Sequence, residues 1–285
     1  MTKYYALAVT TKYWKPKANY LSEIIKALTG RVDNDDFVVI SEKAVSTALG
    51  NIADESLVPA SLNATLIAKL WMRYIWGYVL GVSCRFGQRL LQRLRAYPVD
   101  AGSRHKQFAL QQAGLLQALM FGSEGGIDGS NLPFSYVSLP LKNAYADAEA
   151  IQQRVWLELH KKVVVIIVDT DKTYSFRNFH FTPRPNPMRG IQSRGDICAY
   201  VTGRLLKLKR RSTPLAVAGC CLQAEEALKI ACIAERARGA GAGATVWDMA
   251  ARFKVAVTDV SWSMLAQVKH KPVVVVRRAT GKRHA

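Results

Sequence analysis

Lys161-Lys162-Val163-Val164-Val165-Ile166-Ile167-Val168-Asp169-Thr170-Asp171 decides the fold. From Val163 to Val168 every side chain is β-branched and apolar, so neither face of a strand here can meet water. Such a strand belongs in the middle of a sheet covered on both sides. It ends in Asp169 and Thr170, a carboxylate and a hydroxyl at the carboxyl edge, where α/β sheets bind ligands. The two residues could hold a magnesium nucleotide or could simply form an Asx turn.

Working outward, residues 37–40 (Phe-Val-Val-Ile) form a second short apolar run after the polar turn 33–36. Ser41, Glu42, Lys43 and Ser46 follow at its carboxyl end, where a lysine can meet phosphate as a point charge. Residues 4–11 alternate as a first strand and residues 272–276 read as a last one. Helical patterns fill residues 20–28, 105–120, 143–153 and 216–238. The chain reads as a mixed α/β protein, one large domain or two intimately joined ones over residues 1–278, with a basic tail at 279–285. Between the first strand and helix, Thr11, Lys12, Tyr13 and Trp14 could hold a phosphate and stack on a base, or could coat a turn.

Ser123-Glu124-Gly125-Gly126-Ile127-Asp128-Gly129-Ser130-Asn131-Leu132-Pro133 cannot be regular structure. Its glycines permit backbone angles and close approaches that other residues forbid. Asp128 is a hard oxygen donor suited to a divalent cation, and Asn131 carries both donors and an acceptor. A chain-reversing Asx turn is the plainer reading. Residues 239–243 (Gly-Ala-Gly-Ala-Gly) read as a flexible break.

Composition narrows the class. Hydrophobic residues make up 49% and charged ones 21%, which suits a packed globular chain. The net charge of +19 and pI near 9.9 call for polyanionic partners: nucleic acid, an anionic membrane surface or phosphorylated small molecules. The five cysteines show no CxxC pairing and read as buried free thiols of a reducing compartment; a zinc site is not expected. Residues 66–82 are the most membrane-like stretch, but Lys69 and Arg73 interrupt them, so a buried helix is expected and no membrane partner. The N-terminus enters a strand without a signal-peptide pattern, and a cytoplasmic protein is expected.

Residues 62–94 read as one long helix whose aromatics (Trp71, Tyr74, Trp76, Tyr78) face the core, with Arg85, Arg89, Arg93 and Arg95 on a solvated flank. Residues 179–196, rich in proline and arginine, read as an irregular loop of the length that makes lids. Residues 207–211 read as a basic surface turn.

Three of these stretches resemble the coenzyme F-420-0:L-glutamate ligase (γ-glutamyl ligase) family. They are residues 36–46 around Lys43-Ala44-Val45-Ser46, the loop Gly126-Ile127-Asp128-Gly129-Ser130-Asn131, and the strand ending in Asp169-Thr170. The resemblance implies a two-lobed α/β fold of mixed sheets and helices in an intertwined homodimer. It also implies an enzyme that joins L-glutamate to a carboxylate of a deazaflavin precursor, consuming GTP with Mg2+ or Mn2+. Carried over, Asp128 and Asp169 bind one metal and Thr170 a second. Lys43, Glu42, Ser46, Asn131, Thr11, Lys12, Tyr13 and Trp14 then face the guanine nucleotide, with Asp128, Asp169 and Lys43 serving catalysis.

The chain departs from the family pattern at Thr47 and Leu49, where a lysine and a glutamate are usual, and at Asp171-Lys172, where Phe-Gly-Arg-Pro is usual. Residues 216–219 lack the family's acidic segment, and Gly239-Ala240-Gly241 stands where a glycine-glutamine pair supplies a second-metal ligand. Two alternatives follow: an amide ligase with another acceptor or nucleotide, and a nucleic-acid-binding protein that uses the basic runs.

Overall fold

The computed structural model describes residues 3–122, 124–193 and 196–279. Ser123, the Arg194-Gly195 pair of the expected lid and the expected tail beyond Ala279 lie outside the described residues. Among the described residues nine strands form two sheets: β1 (Tyr4–Thr11), β2 (Phe37–Ser41), β3 (Ile52–Asp54), β4 (Tyr136–Ser138), β5 (Val164–Phe176), β6 (Phe179–Thr182), β7 (Gln192–Ser193), β8 (Lys209–Ala218) and β9 (His270–Arg278). The larger sheet runs β1-β9-β2-β5-β6-β7, with β8 also paired to β5; β3 and β4 form the smaller one. The mixed α/β class expected from the sequence is the class observed.

The parallel pair β2–β5 is the spine. Phe37 stands opposite Val164 and Ser41 opposite Val168, so the next residues, Glu42 at the start of a helix and Asp169 still within β5, fall at the same edge of the parallel pair. Val38, Ile40, Val165 and Ile167 turn to one face, into a core shared with Ile24, Leu28, Ile151 and Val155 from the helices Tyr20–Leu28 and Ala144–Leu159. Phe37, Val39, Ile166 and Val168 turn to the other, against Ile230, Ala231 and Ala234 of the helix Ala224–Arg238. Each such buried Val or Ile contributes roughly 1.5–3 kcal/mol relative to exposure.

A second core gathers Met72, Trp76, Leu94 and Met120 from the mostly helical stretch between β3 and β4, with Tyr200 from the helix Ile197–Leu205. Its main helix opens as Leu62–Leu66, widens to i→i+5 hydrogen bonding over Ile67–Leu80 and closes as Gly81–Ser83. The wide turn brings residues five apart onto one side. Trp71 and Trp76 accordingly both donate their Nε1 to the Leu119 carbonyl, each at 2.8 Å.

Several expectations are corrected. The helix stops at Ser83, and a break precedes the next one, Gln88–Arg95. Of the aromatic stripe only Trp76 is fully buried, while Tyr74 and Tyr78 are exposed. Residues 216–218 belong to β8 and not to a helix, because pairing with β5 overrides their helical pattern. Arg211, read as part of a surface turn, is buried in β8 and bidentate to Glu225 at 2.7 Å. Of the cysteines only Cys84 is buried; Cys198, Cys220 and Cys221 are exposed. Among the described residues no helix is long and apolar enough to cross a membrane.

Candidate active site

The site grows from the carboxyl ends of β2 and β5. β5 does not stop at Asp169. Its register with β8 slips between Asp169 and Lys172, and the strand then runs on to Phe176 and returns through β6 to Arg184. Residues 179–184 are therefore strand and buried turn, not an open lid: His180, Phe181, Thr182 and Arg184 are all buried.

Arg184 closes the site from beneath. Its Nε donates to Asp169 Oδ2 at 2.6 Å, its Nη2 to Glu42 Oε1 at 2.7 Å and its Nη1 to the Gly125 carbonyl at 2.9 Å. The side chain is 3% exposed. One planar fork thus ties both strand ends to the glycine loop, a geometry that a lysine point charge could not reproduce. Gly126 sits at φ +92°, and a Cβ there would lie 2.4 Å from the guanidinium carbon, so only glycine lets the loop close on Arg184. Glu42 also accepts from the Leu141 amide at 2.9 Å. Burial pushes its carboxyl up to about 7, against the pull of the Arg184 charge.

The glycine loop is docked on β4: the Asp128 and Ser138 main chains exchange hydrogen bonds of 3.2 and 3.0 Å. Asp128 Oδ1 accepts from the Ser130 amide at 2.7 Å, an Asx turn. Oδ2 forms an ion pair with the Lys43 ammonium, which also donates to the Ser130 carbonyl at 3.0 Å and hydroxyl at 2.7 Å. The turn and site readings of Asp128 therefore coexist. The Asn131 side chain accepts from Ala242 N at 2.6 Å and donates to the Gly243 carbonyl at 3.0 Å, while the Tyr13 hydroxyl donates to the Asn131 carbonyl. These bonds fasten residues 239–243, read as a flexible break, onto the loop.

A cavity of about 1300 Å³ opens above these groups. Tyr13, Trp14, Lys43, Asp128, Asn131, Asp169 and Thr170 all line it, so most of the expected site residues meet at one place. That space exceeds a typical small-ligand pocket and is large enough for a nucleotide and an acceptor together. Four expected residues do not line it. Glu42 is buried beneath, on Arg184. Ser46 is buried and donates to the Leu139 carbonyl. Thr11 Oγ1 bonds the Lys12 carbonyl at 2.8 Å, and the Lys12 side chain is exposed.

One charged cluster on the cavity wall had no sequence signal, since its members lie far apart. His105 Nδ1 meets Glu55 at 2.6 Å and its Nε2 meets Glu124 at 3.5 Å; the buried Lys106 donates to Glu124 at 2.6 Å and to the Met120 carbonyl at 2.7 Å. Burial alone would lower the imidazole, but Glu55 and Glu124 push it up to about 10. Burial would likewise raise the Glu124 carboxyl, but Lys106 and His105 hold it well below the usual carboxylate range.

Asp128, Asp169 and Thr170 offer hard oxygens to one cavity. Among the described residues no three His, Cys, Asp or Glu side chains form a metal cluster. This donor set fits a magnesium ion that keeps waters and leans on substrate phosphates, which needs only one or two carboxylates. The protein's own cations, Lys43 and Arg184, neutralise the two carboxylates here.

A family model described as F420-0:Gamma-glutamyl ligase matches residues 8–207. An uncharacterized protein of Methanocaldococcus jannaschii is 33% identical, over 95% of this chain and 96% of its own length.

Two outcomes follow. Arg184→Met removes the charge at similar length and leaves Glu42 and Asp169 uncompensated. Chemical denaturation at pH 8 should show a loss of about 3–5 kcal/mol, and a loss below about 1 kcal/mol would contradict the clasp. For His105 the folded value, about 10, lies above its ordinary 6.5. Its contribution is complete below 6.5 and disappears as pH rises through 10. His105→Asn should therefore flatten the fall in stability between pH 7 and 10, and an unchanged slope would show that the ring is not held charged.

Proposed function

The chain belongs to the F420-0:gamma-glutamyl ligase family, and on that premise we propose that it is a ligase joining the amine of L-glutamate to a carboxylate of a deazaflavin precursor at the expense of GTP. The observation that supports this most is the meeting of Lys43, Asp128 and Asp169 at one cavity, from a helix start, a loop and a strand.

The chemistry sets the requirements. A carboxylate is a poor electrophile in water, so amide formation needs activation. A carboxylate oxygen of the acceptor attacks the γ-phosphorus of GTP and GDP leaves, giving an acyl phosphate. The amine then displaces phosphate, giving amide, inorganic phosphate and a proton. Positioning and charge neutralisation dominate phosphoryl transfer. Asp128 and Asp169 would hold one Mg2+ or Mn2+ ion and Thr170 a second, and such ions supply neutralising charge to the transferring phosphate.

Lys43 has a second role to play. Its side chain is 22% exposed and its ammonium lies on Asp128, at the cavity surface, so it can turn to a phosphate oxygen when Asp128 takes another cation. Tyr13 gives the cavity an aromatic surface against which a base can stack, while the Trp14 ring is almost wholly buried in the core. Arg184 stays below, fixing the direction in which Asp169 presents its free lone pairs. A homodimer belongs to the same reading.

Of the basic run 207–211, Arg211 is consumed by Glu225 and Ser175, while Lys207, Lys209 and Arg210 are exposed and keep the nucleic-acid alternative open to the test below.

The test combines GTP, L-glutamate, Mg2+ or Mn2+ and the deazaflavin precursor, with mass spectrometry for added glutamate. Asp128→Asn keeps the side-chain size and removes the charge. It should abolish phosphate release while the melting temperature stays close to that of the wild type. Wild-type protein that binds GTP and metal but adds no glutamate would point to another acceptor. Protein that binds neither, yet holds RNA with a steep salt dependence, would defeat the enzyme reading.

A further inference from the structure

Among the described residues three side chains on the cavity wall carry hydrogen-bond donors with nothing to donate to: Arg204 at Nε alone, its Nη2 donating to the Tyr200 hydroxyl, and Trp14 and Arg238. Trp14 Nε1 and both Nε and Nη2 of Arg238 are buried and have no hydrogen-bond partner among the described residues. Both residues line the cavity that holds Lys43, Asp128 and Asp169. A buried donor gives up its hydration for no return, so folded proteins keep few of them, and a guanidinium is the costliest kind.

The surroundings explain why Arg238 is unmatched. It is the last residue of the helix Ala224–Arg238, and two carboxylates, Glu235 and Asp169, act on its charge. Both are committed elsewhere. Glu235 takes the Lys172 ammonium and the Ser212 hydroxyl, and Asp169 takes Arg184. Burial lowers Arg238 to about 10, which still leaves it charged at neutral pH. The neighbouring His270 ring, edge-on to Trp14 at 5.6 Å, brings no competing charge: burial pushes it down to about 4, and Arg238 adds to the effect. What remains is a fixed cation and an indole N–H, both without an acceptor, on the wall of one cavity.

We propose that Arg238 and Trp14 form an oxyanion-binding subsite, and that its occupant is a phosphate group of the bound nucleotide. The identity of the anion as a nucleotide phosphate rests on the ligase reading; the subsite itself does not. A phosphate has enough acceptor lone pairs to satisfy all three orphaned N–H groups of Trp14 and Arg238, and the guanidinium fork suits it. Trp14 and its neighbour Tyr13 both pack on His270, with ring centroids 5.6 and 4.8 Å away, so the phosphate would sit at this aromatic end of the cavity.

The test titrates full-length wild type, Arg238→Gln and Arg238→Lys with magnesium GTP, with tripolyphosphate and with L-glutamate, and records the melting temperature of each ligand-free protein. Arg238→Gln should weaken GTP and tripolyphosphate by about 10- to 100-fold, as expected for a lost charge-assisted bond. L-glutamate affinity should be unchanged and Arg238→Lys should recover part of the loss. The ligand-free variant should melt no lower than the wild type, because it loses a cation two of whose nitrogens are buried without a hydrogen bond.

A lower melting temperature with unchanged affinities would make Arg238 a structural residue and overturn the subsite. A loss confined to L-glutamate would overturn the phosphate assignment, and wild type that ignores tripolyphosphate would overturn it too. Wild type that binds tripolyphosphate through Arg238 but not GTP would leave the subsite standing and defeat the nucleotide reading.

Discussion

A single buried guanidinium holds this site together. Arg184 reaches Glu42 at the end of β2, Asp169 at the end of the parallel part of β5, and the Gly125 carbonyl of the loop that carries Asp128. Without it two carboxylates would stand adjacent in a place that excludes water, and their mutual repulsion would add to the cost of burying them. The parallel pairing of β2 and β5 creates that problem, because it delivers Glu42 and Asp169 to the same edge. The hairpin β5–β6 solves it by bringing Arg184 back under the edge. Sheet register, hairpin and loop conformation are therefore one linked constraint, and Gly126 is the position where a side chain would break it.

Above this clasp the cations divide into two groups. Arg184 and Lys106 are buried in fixed ion pairs and serve the architecture. Lys43, on Asp128 at the cavity surface, and Arg238, without a hydrogen bond for two of its nitrogens, are placed to answer a ligand. This division gives the high net charge a local meaning. The excess matters less as a diffuse field than through a few ammonium and guanidinium groups aimed at the space where a polyanion would lie.

Much of the frame was legible because it rests on local patterns. The apolar run 163–168 announced a central strand, and residues 20–28 form the helix that their spacing predicts. Asp128, Asp169 and Lys43 were expected to gather because of their places at the ends of such elements, and they line one cavity. Arg184 was not expected there, although the family pattern that the sequence resembles has an Arg-Pro pair two residues after its Asp-Thr. In this chain Arg184-Pro185 follows a complete hairpin, and linear spacing cannot show that the hairpin returns its end to its beginning. Residues 216–218 misled for a similar reason: their apolar run fits a helix, and pairing with β5 decides otherwise. Glu42 and Ser46, expected at the nucleotide, point down instead of up, and the direction of a side chain at a strand-to-helix junction depends on partners remote in sequence. The His105 cluster draws on Glu55, Lys106 and Glu124 from three segments and leaves no pattern at all.

The central claim is that Asp128 and Asp169, held in place by the Arg184 clasp, share a divalent cation at the nucleotide. Anomalous diffraction from a crystal grown with GTP and Mn2+ tests it most directly. The account predicts a manganese peak bonded to both carboxylates, at about 2.0–2.2 Å, with the Lys43 ammonium moved from Asp128 to a phosphate oxygen. A nucleotide-bound crystal in which manganese is absent from both carboxylates, with the Lys43–Asp128 pair intact, would contradict it.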